Sequence, residues 1–98
     1  MLFIVRFTDR PDGFALRKSF LPAHLEWLEE HRAYILVAGS LREDPERHPV
    51  GACWIVEAAS KVAVRSILAS DPFWKGGLRS AVEILHWSKA FPGLQTLI

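Results

Sequence analysis

Thiol chemistry is almost absent from this chain, because Cys53 is its only cysteine. No intrachain disulfide can therefore form. Cys53 falls in the apolar run GACWIVE and reads as a buried structural thiol, since a reactive one needs an electropositive, partly exposed setting. Net charge is nearly absent as well: twelve Lys and Arg against eleven Asp and Glu leave +1. No basic run interleaves with aromatics, which argues against a nucleic-acid partner but leaves small anionic substrates open. No apolar run is long enough to span or enter a membrane. MLFIVRF covers seven residues and charged residues follow it, so the expected location is cytoplasmic. A phosphate loop and a dinucleotide fingerprint are missing, with Gly76-Gly77 standing as a lone pair. The histidines lack metal-ligand spacing. His24 and His31 lie seven apart rather than at i, i+4, while His48 sits in a charged loop and His86 in a strand-like run. Neither a metal nor a cofactor is expected.

What the chain has in quantity is apolar surface. Half of its 98 residues are hydrophobic, including four Trp and six Phe. One domain is expected over residues 1–98, with a core of about 1–90 and an apolar tail at 91–98. A chain this short buries a modest fraction of its surface, so part of the apolar surface calls for a partner chain.

The periodicity predicts βαββαβ. Leu2 to Thr8 alternates, with Phe3, Val5 and Phe7 on one face and Leu2, Ile4 and Arg6 on the other. Asp9 to Gly13 is turn chemistry. A helix is expected within about Phe14 to Arg32, clearest from Pro22, with Leu21, His24, Leu25 and Leu28 as its apolar stripe. Tyr34–Leu41 and Val50–Glu57 read as strands around a polar loop. Ser60 caps a second helix, Lys61–Ser70, whose core positions are Ala63, Val64, Ile67 and Leu68. Continued by one turn, that stripe reaches Asp71, where Pro72 disfavours further helix. Phe73 to Leu78 reads as a link and Ser80–Ser88 as the last strand. This order implies an α+β, ferredoxin-like sandwich, with two helices on one face of a four-stranded antiparallel sheet. The strands carry large apolar groups on both faces, Leu85 and Trp87 against Val82 and Ile84, where a half-solvated sheet should alternate more cleanly. A homodimer through the sheet is the economical expectation.

Two titratable residues stand where the local pattern calls for apolar ones: His24 in PAHLEWL and Asp71 in SDPFWKGGL. His24 reads either as a core-edge histidine or as a general base or acid near neutral pH. Asp71 reads either as an Asx-turn residue or as a buried carboxylate in need of an imidazole N–H beside it. Together they form the base-and-orienter half of a triad. No nucleophile accompanies them, because Ser40 lacks the nucleophile-elbow pattern. Proton abstraction with elimination, isomerisation or activation of a water fits better than acyl-enzyme chemistry. Arg6 and Arg17 are candidate anchors for a carboxylate or phenolate, although a snorkelling or salt-bridged role is equally open for Arg6. Ser40 is a candidate hydrogen-bonding hydroxyl. Phe73 and Trp74 are candidate cavity walls, whereas Trp27, Trp54 and Trp87 read as core or interface. A non-catalytic domain that senses a small molecule in the same pocket is the alternative, and a purely structural His–Asp bond is the third.

The same residues resemble the YCII-related family. The matching pieces are MLFIVRF, LPAHLEWL, VAGSL, GACWIVEAAS and Asp71-Pro72-Phe73 followed by Gly77-Leu78, in order over roughly residues 1 to 90. The resemblance implies a dimeric ferredoxin-like fold related to the dimeric α+β barrel proteins, and an active site on His24 and Asp71. It further implies, for a few members, elimination of hydrogen chloride from a chlorinated ring. The chain departs from the family at Leu21, where an arginine is frequent, at Ser40, where proline is frequent, and at His86-Trp87. Arg17 is the candidate to replace the missing arginine.

Overall fold

A computed structural model of the chain describes residues 1–98. Its elements run β1 (Leu2–Asp9), α1 (Phe14–Glu30), β2 (Ile35–Leu41), β3 (Gly51–Glu57), α2 (Lys61–Leu68), α3 (Pro72–Lys75) and β4 (Arg79–His86). The strands form one antiparallel sheet in the order β2-β3-β1-β4. With the helices packed on one face, this is the ferredoxin-like α+β sandwich.

Strand alternation decides which face is buried. Phe3, Val5, Phe7 and Asp9 of β1 point inward, and the β3 register sets Val56, Trp54 and Ala52 opposite the first three. Ile84 of β4 lies opposite Val5 on the other side. Val64 and Leu68 of α2, Trp27 of α1 and Phe73 of α3 complete the buried layer from the helix side. Burial of such side chains contributes roughly 1.5–3 kcal/mol each. Gly51 is required where β3 meets β1, because a Cβ there would collide with the Phe7 carbonyl.

Several boundaries differ from the sequence expectation for physical reasons. α1 runs unbroken from Phe14, so Pro22 lies inside it and leaves the Lys18 carbonyl without its helical N–H partner. The buried face of α1 is carried by His24 and Trp27, while Leu21 and Leu25 are exposed. Of the expected stripe, His24 is buried and Leu28 packs against the core, while Leu21 and Leu25 turn toward an open cleft. α2 ends at Leu68, and the expected link after Asp71 contains a third helix. Asp71 caps that helix, Pro72 occupies its first turn, and Gly77 ends it with a φ of 81°. β4 begins one residue earlier than expected, at Arg79, and pairs Arg79 with Asp9 after a register shift at Thr8/Asp9. No helix is long and apolar enough to cross a membrane.

Candidate active site

Three elements converge on His24. It stands midway along α1, on the face that meets the sheet, and its ring stacks on Phe73 at 3.9 Å between centroids and 17° between planes. The Trp27 and Trp54 rings lie farther out, each 6.4 Å from it. Asp71 reaches the ring because α3 begins there. Its Oδ1 accepts the Phe73 backbone N–H at 3.0 Å, which is the helix cap, and also lies 2.6 Å from His24 Nδ1. An ionised carboxylate only accepts, so against ionised Asp71 it is Nδ1 that donates. This leaves Nε2 as the free lone pair. Trp27 ties the same corner down by donating from Nε1 to Ser70 Oγ at 2.9 Å.

His24 lines a cavity of about 520 Å³ between α1 and the outer edge of the sheet. The cavity exists because β2 is built from small residues where it passes α1. Ala38 and Ser40 lie on the helix-facing side of β2, beside Trp54 and Ala52. Of β2 only Ile35 is buried, so the helices do not close over this edge. The walls are apolar through Leu21, Leu25, Leu28 and Trp54, and cationic through Arg17, Lys18, Arg42 and Arg79, with no carboxylate among the lining residues. Arg42 donates to Ser40 Oγ at 3.0 Å at the edge of the cavity.

Arg17 and Arg79 of this wall belong to a largely buried ion cluster with Asp9. Asp9 accepts from Arg79 Nη1 at 2.7 Å on one oxygen and from Arg17 Nη2 at 2.6 Å on the other. The Arg79 guanidinium also packs against the Phe7 and Phe73 rings, at 4.5 and 5.0 Å from their centroids. Burial pushes Arg79 below its ordinary value; Asp9 opposes this by hydrogen bond and charge, the Arg17 charge adds to it, and the Asp71 charge opposes it. The group stays charged, as arginine does in proteins. Asp71 Oδ2 and Arg79 Nε and Nη2 are buried without hydrogen-bond partners.

Of the candidate residues, His24, Arg17 and Ser40 line the cavity. Asp71 lies behind His24, and Phe73 is fully buried beneath its ring. Trp74 packs on the core near Phe7, at 6.4 Å between rings, and does not line the cavity. Arg6 lies on the opposite face of the sheet, paired with Glu83, and is outside the site. Arg79, Asp9 and Arg42 escaped sequence reasoning. The one available signal was parity: Asp9 continues the inward series Phe3, Val5, Phe7. No three His, Cys, Asp or Glu side chains converge as metal ligands.

Fold and site together define a small ferredoxin-like domain with an imidazole–carboxylate pair at a cationic cavity. The YCII-related domain profile matches residues 1–88, and the chain belongs to that family. Among solved structures, the 5-chloro-2-hydroxyhydroquinone dehydrochlorinase TftG of Burkholderia phenoliruptrix AC1100, in complex with 2,5-dihydroxybenzoquinone, is 34% identical. The match covers 90% of this chain and 94% of that one, with a TM-score of 0.81. A candidate antibiotic biosynthesis monooxygenase of Bacteriodes thetaiotaomicron VPI-5482 is 20% identical over 98% of this chain and 94% of its own, with a TM-score of 0.58. Protein Atu4242 of Agrobacterium tumefaciens is 11% identical over 97% and 100%, with a TM-score of 0.55. The last two share the fold. Among curated proteins none matches the chain.

Proposed function

We propose that this protein is a lyase-type enzyme that eliminates HX from a small hydroxylated, halogen-bearing ring, with His24 as the base and Asp71 as the residue that orients it. The observation that carries the reading is the 2.6 Å contact between His24 Nδ1 and Asp71 Oδ1, made by a histidine that lines a cavity. A carboxylate on Nδ1 fixes the tautomer, leaves Nε2 as the proton acceptor and stabilises the imidazolium once formed. The likeness to a dehydrochlorinase supports the reaction class.

The step balances without a redox partner. In a keto tautomer of the ring the halogen-bearing carbon is tetrahedral, and Nε2 takes the proton of a hydroxyl conjugated to it through one ring C=C. The O–H pair becomes the C=O π bond, the C=C pair shifts to form the new C=C at the halogen-bearing carbon, and halide departs with the pair of the breaking C–X bond. The imidazolium then returns its proton to solvent. Arg17 and Arg42 line the cavity and are the cations proposed to meet negative charge developing on ring oxygens, since pre-placed cations favour such a transition state. Ser40 supplies a hydroxyl at the same wall, while the leucines and Trp54 hold a planar ring.

The test is halide release from chlorinated hydroxyhydroquinones by the wild type and by His24→Ala. Loss of a positioned general base lowers turnover by roughly 10²–10⁴-fold. Retained ligand binding without turnover in the wild type would move the protein to the sensing alternative. A small loss with His24→Ala would remove the histidine from the chemistry.

The open face of the sheet supports a homodimer as the working form. Leu85, Val37 and Leu41 there are 40–45% exposed, and Ile4 and Ile55 are half-buried between them. Leu94 and Leu97 of the tail are exposed as well. An apolar patch of this kind is a feature of interaction surfaces.

A further inference from the structure

We propose that the buried Arg17–Asp9–Arg79 cluster is the counter-ion of the His24–Asp71 pair, and that Arg79 is a positioning residue that keeps the pair unprotonated and ready to act as a base. This rests on the dyad reading above and extends it to Asp9 and Arg79, neither of which makes a hydrogen bond to His24.

Charge counting is the first argument. Asp9 is shared by two guanidinium groups, so the cluster carries one positive charge beyond its internal balance. In the dyad reading the imidazole is neutral and Asp71, fully buried beside it, supplies one negative charge. A buried charge is tolerated when an opposite one offsets it, and these two are complementary. Geometry is the second argument. Phe73 is the shared wall: His24 stacks on its ring, and the Arg79 and Arg17 guanidinium carbons lie 5.0 and 5.1 Å from its centroid. The polar atoms left without hydrogen-bond partners are an acceptor on Asp71 and two donors on Arg79, and the Asp71 charge favours the charged form of Arg79.

The remaining charges that face the pair are also cationic. Lys18 on α1 and Arg42 beyond β2 line the cavity with Arg17, β3 offers the neutral Ala52 and Trp54, and His31 lies beyond Trp27 with its Nδ1 at Trp27 O. Asp9 on β1 is thus the one carboxylate besides Asp71 among these groups. When His24 takes a proton, the five-residue system passes from net zero to +1, and removing a neighbouring cation eases that step.

The prediction has opposite signs at two positions, which a purely structural role cannot reproduce. The readout is an NMR pH titration of the His24 ring in the ligand-free protein. Arg79→Met removes a positive charge, so proton affinity of the pair rises about tenfold and the midpoint moves up by about one pH unit. Asp9→Asn removes a negative charge, so the midpoint moves down. Arg79→Lys keeps the charge and holds the midpoint near wild type. If Arg79→Met does not fold, Arg17→Met removes the same charge from the cluster and is expected to move the midpoint upward. Shifts of the same sign in the charge-removing Arg and Asp variants, or none, overturn the counter-ion role. Asp71→Asn separates the two claims: if it leaves the His24 titration unchanged, the dyad itself fails. If it alters that titration while the cluster variants do not, only the counter-ion proposal fails.

Discussion

Replacing Asp71 by alanine tests the site through stability, without any substrate. Asp71 Oδ1 accepts two hydrogen bonds, from the Phe73 N–H and from His24 Nδ1. Loss of the cap costs about 1 kcal/mol. His24 is 6% exposed, so its ring N–H is left buried and unpaired, at about 1–3 kcal/mol. Asp71→Ala should therefore destabilise by about 2–4 kcal/mol. For a domain of this size each kcal/mol lowers Tm by roughly 4–8 °C. Asp71→Asn keeps an oxygen at the same position and loses only the charge-assisted share, about 1–2 kcal/mol. Urea denaturation followed by circular dichroism measures both. An alanine variant within about 1 kcal/mol of wild type, or an asparagine variant as costly as alanine, would refute the idea that one oxygen serves both partners.

Other substitutions probe other parts of the molecule. Gly51→Ala drives a Cβ into the Phe7 carbonyl, whereas Gly39→Ala on the edge strand meets open space. The first should cost at least about 1–3 kcal/mol and the second within about 0.5, as read by thermal melts of the two variants side by side. Ser60→Ala removes the oxygen that accepts the Ala63 N–H at 3.1 Å and should cost about 1 kcal/mol, measurable in the same urea assay. Leu85→Glu places a charge on the open sheet face and should convert a dimer to monomer in sedimentation velocity; an unchanged sedimentation coefficient would show that this face is not the dimer contact.

β1 was legible because side chains alternate along a strand, so Phe3, Val5 and Phe7 can share only one face. α2 was legible from its helical period, with Val64 and Leu68 one turn apart and both buried. The inward face of α1 was not. Leu21 and Leu25 are as apolar as any core residue, but the wall they would pack against is the small-residue stretch of β2, so they border a cavity. No local pattern carries that information. α3 was hidden by Gly76-Gly77, although Asp71 before Pro72 is itself a helix-start signature. His24 and Asp71 were visible as misplaced polar residues, but their contact spans 47 positions and depends on how α1 and α3 pack. Asp9 and Arg79 are 70 positions apart and meet through a register shift, which belongs to the sheet rather than to either segment.

Because one Asp71 oxygen both starts α3 and holds His24, any excursion of the Asp71 side chain frees the imidazole and the Phe73 amide together. The exchange rate of that single amide therefore reports how often the carboxylate leaves its place. A ligand that tightens the pair should slow Phe73 exchange while leaving the amides of β2 near their original rates.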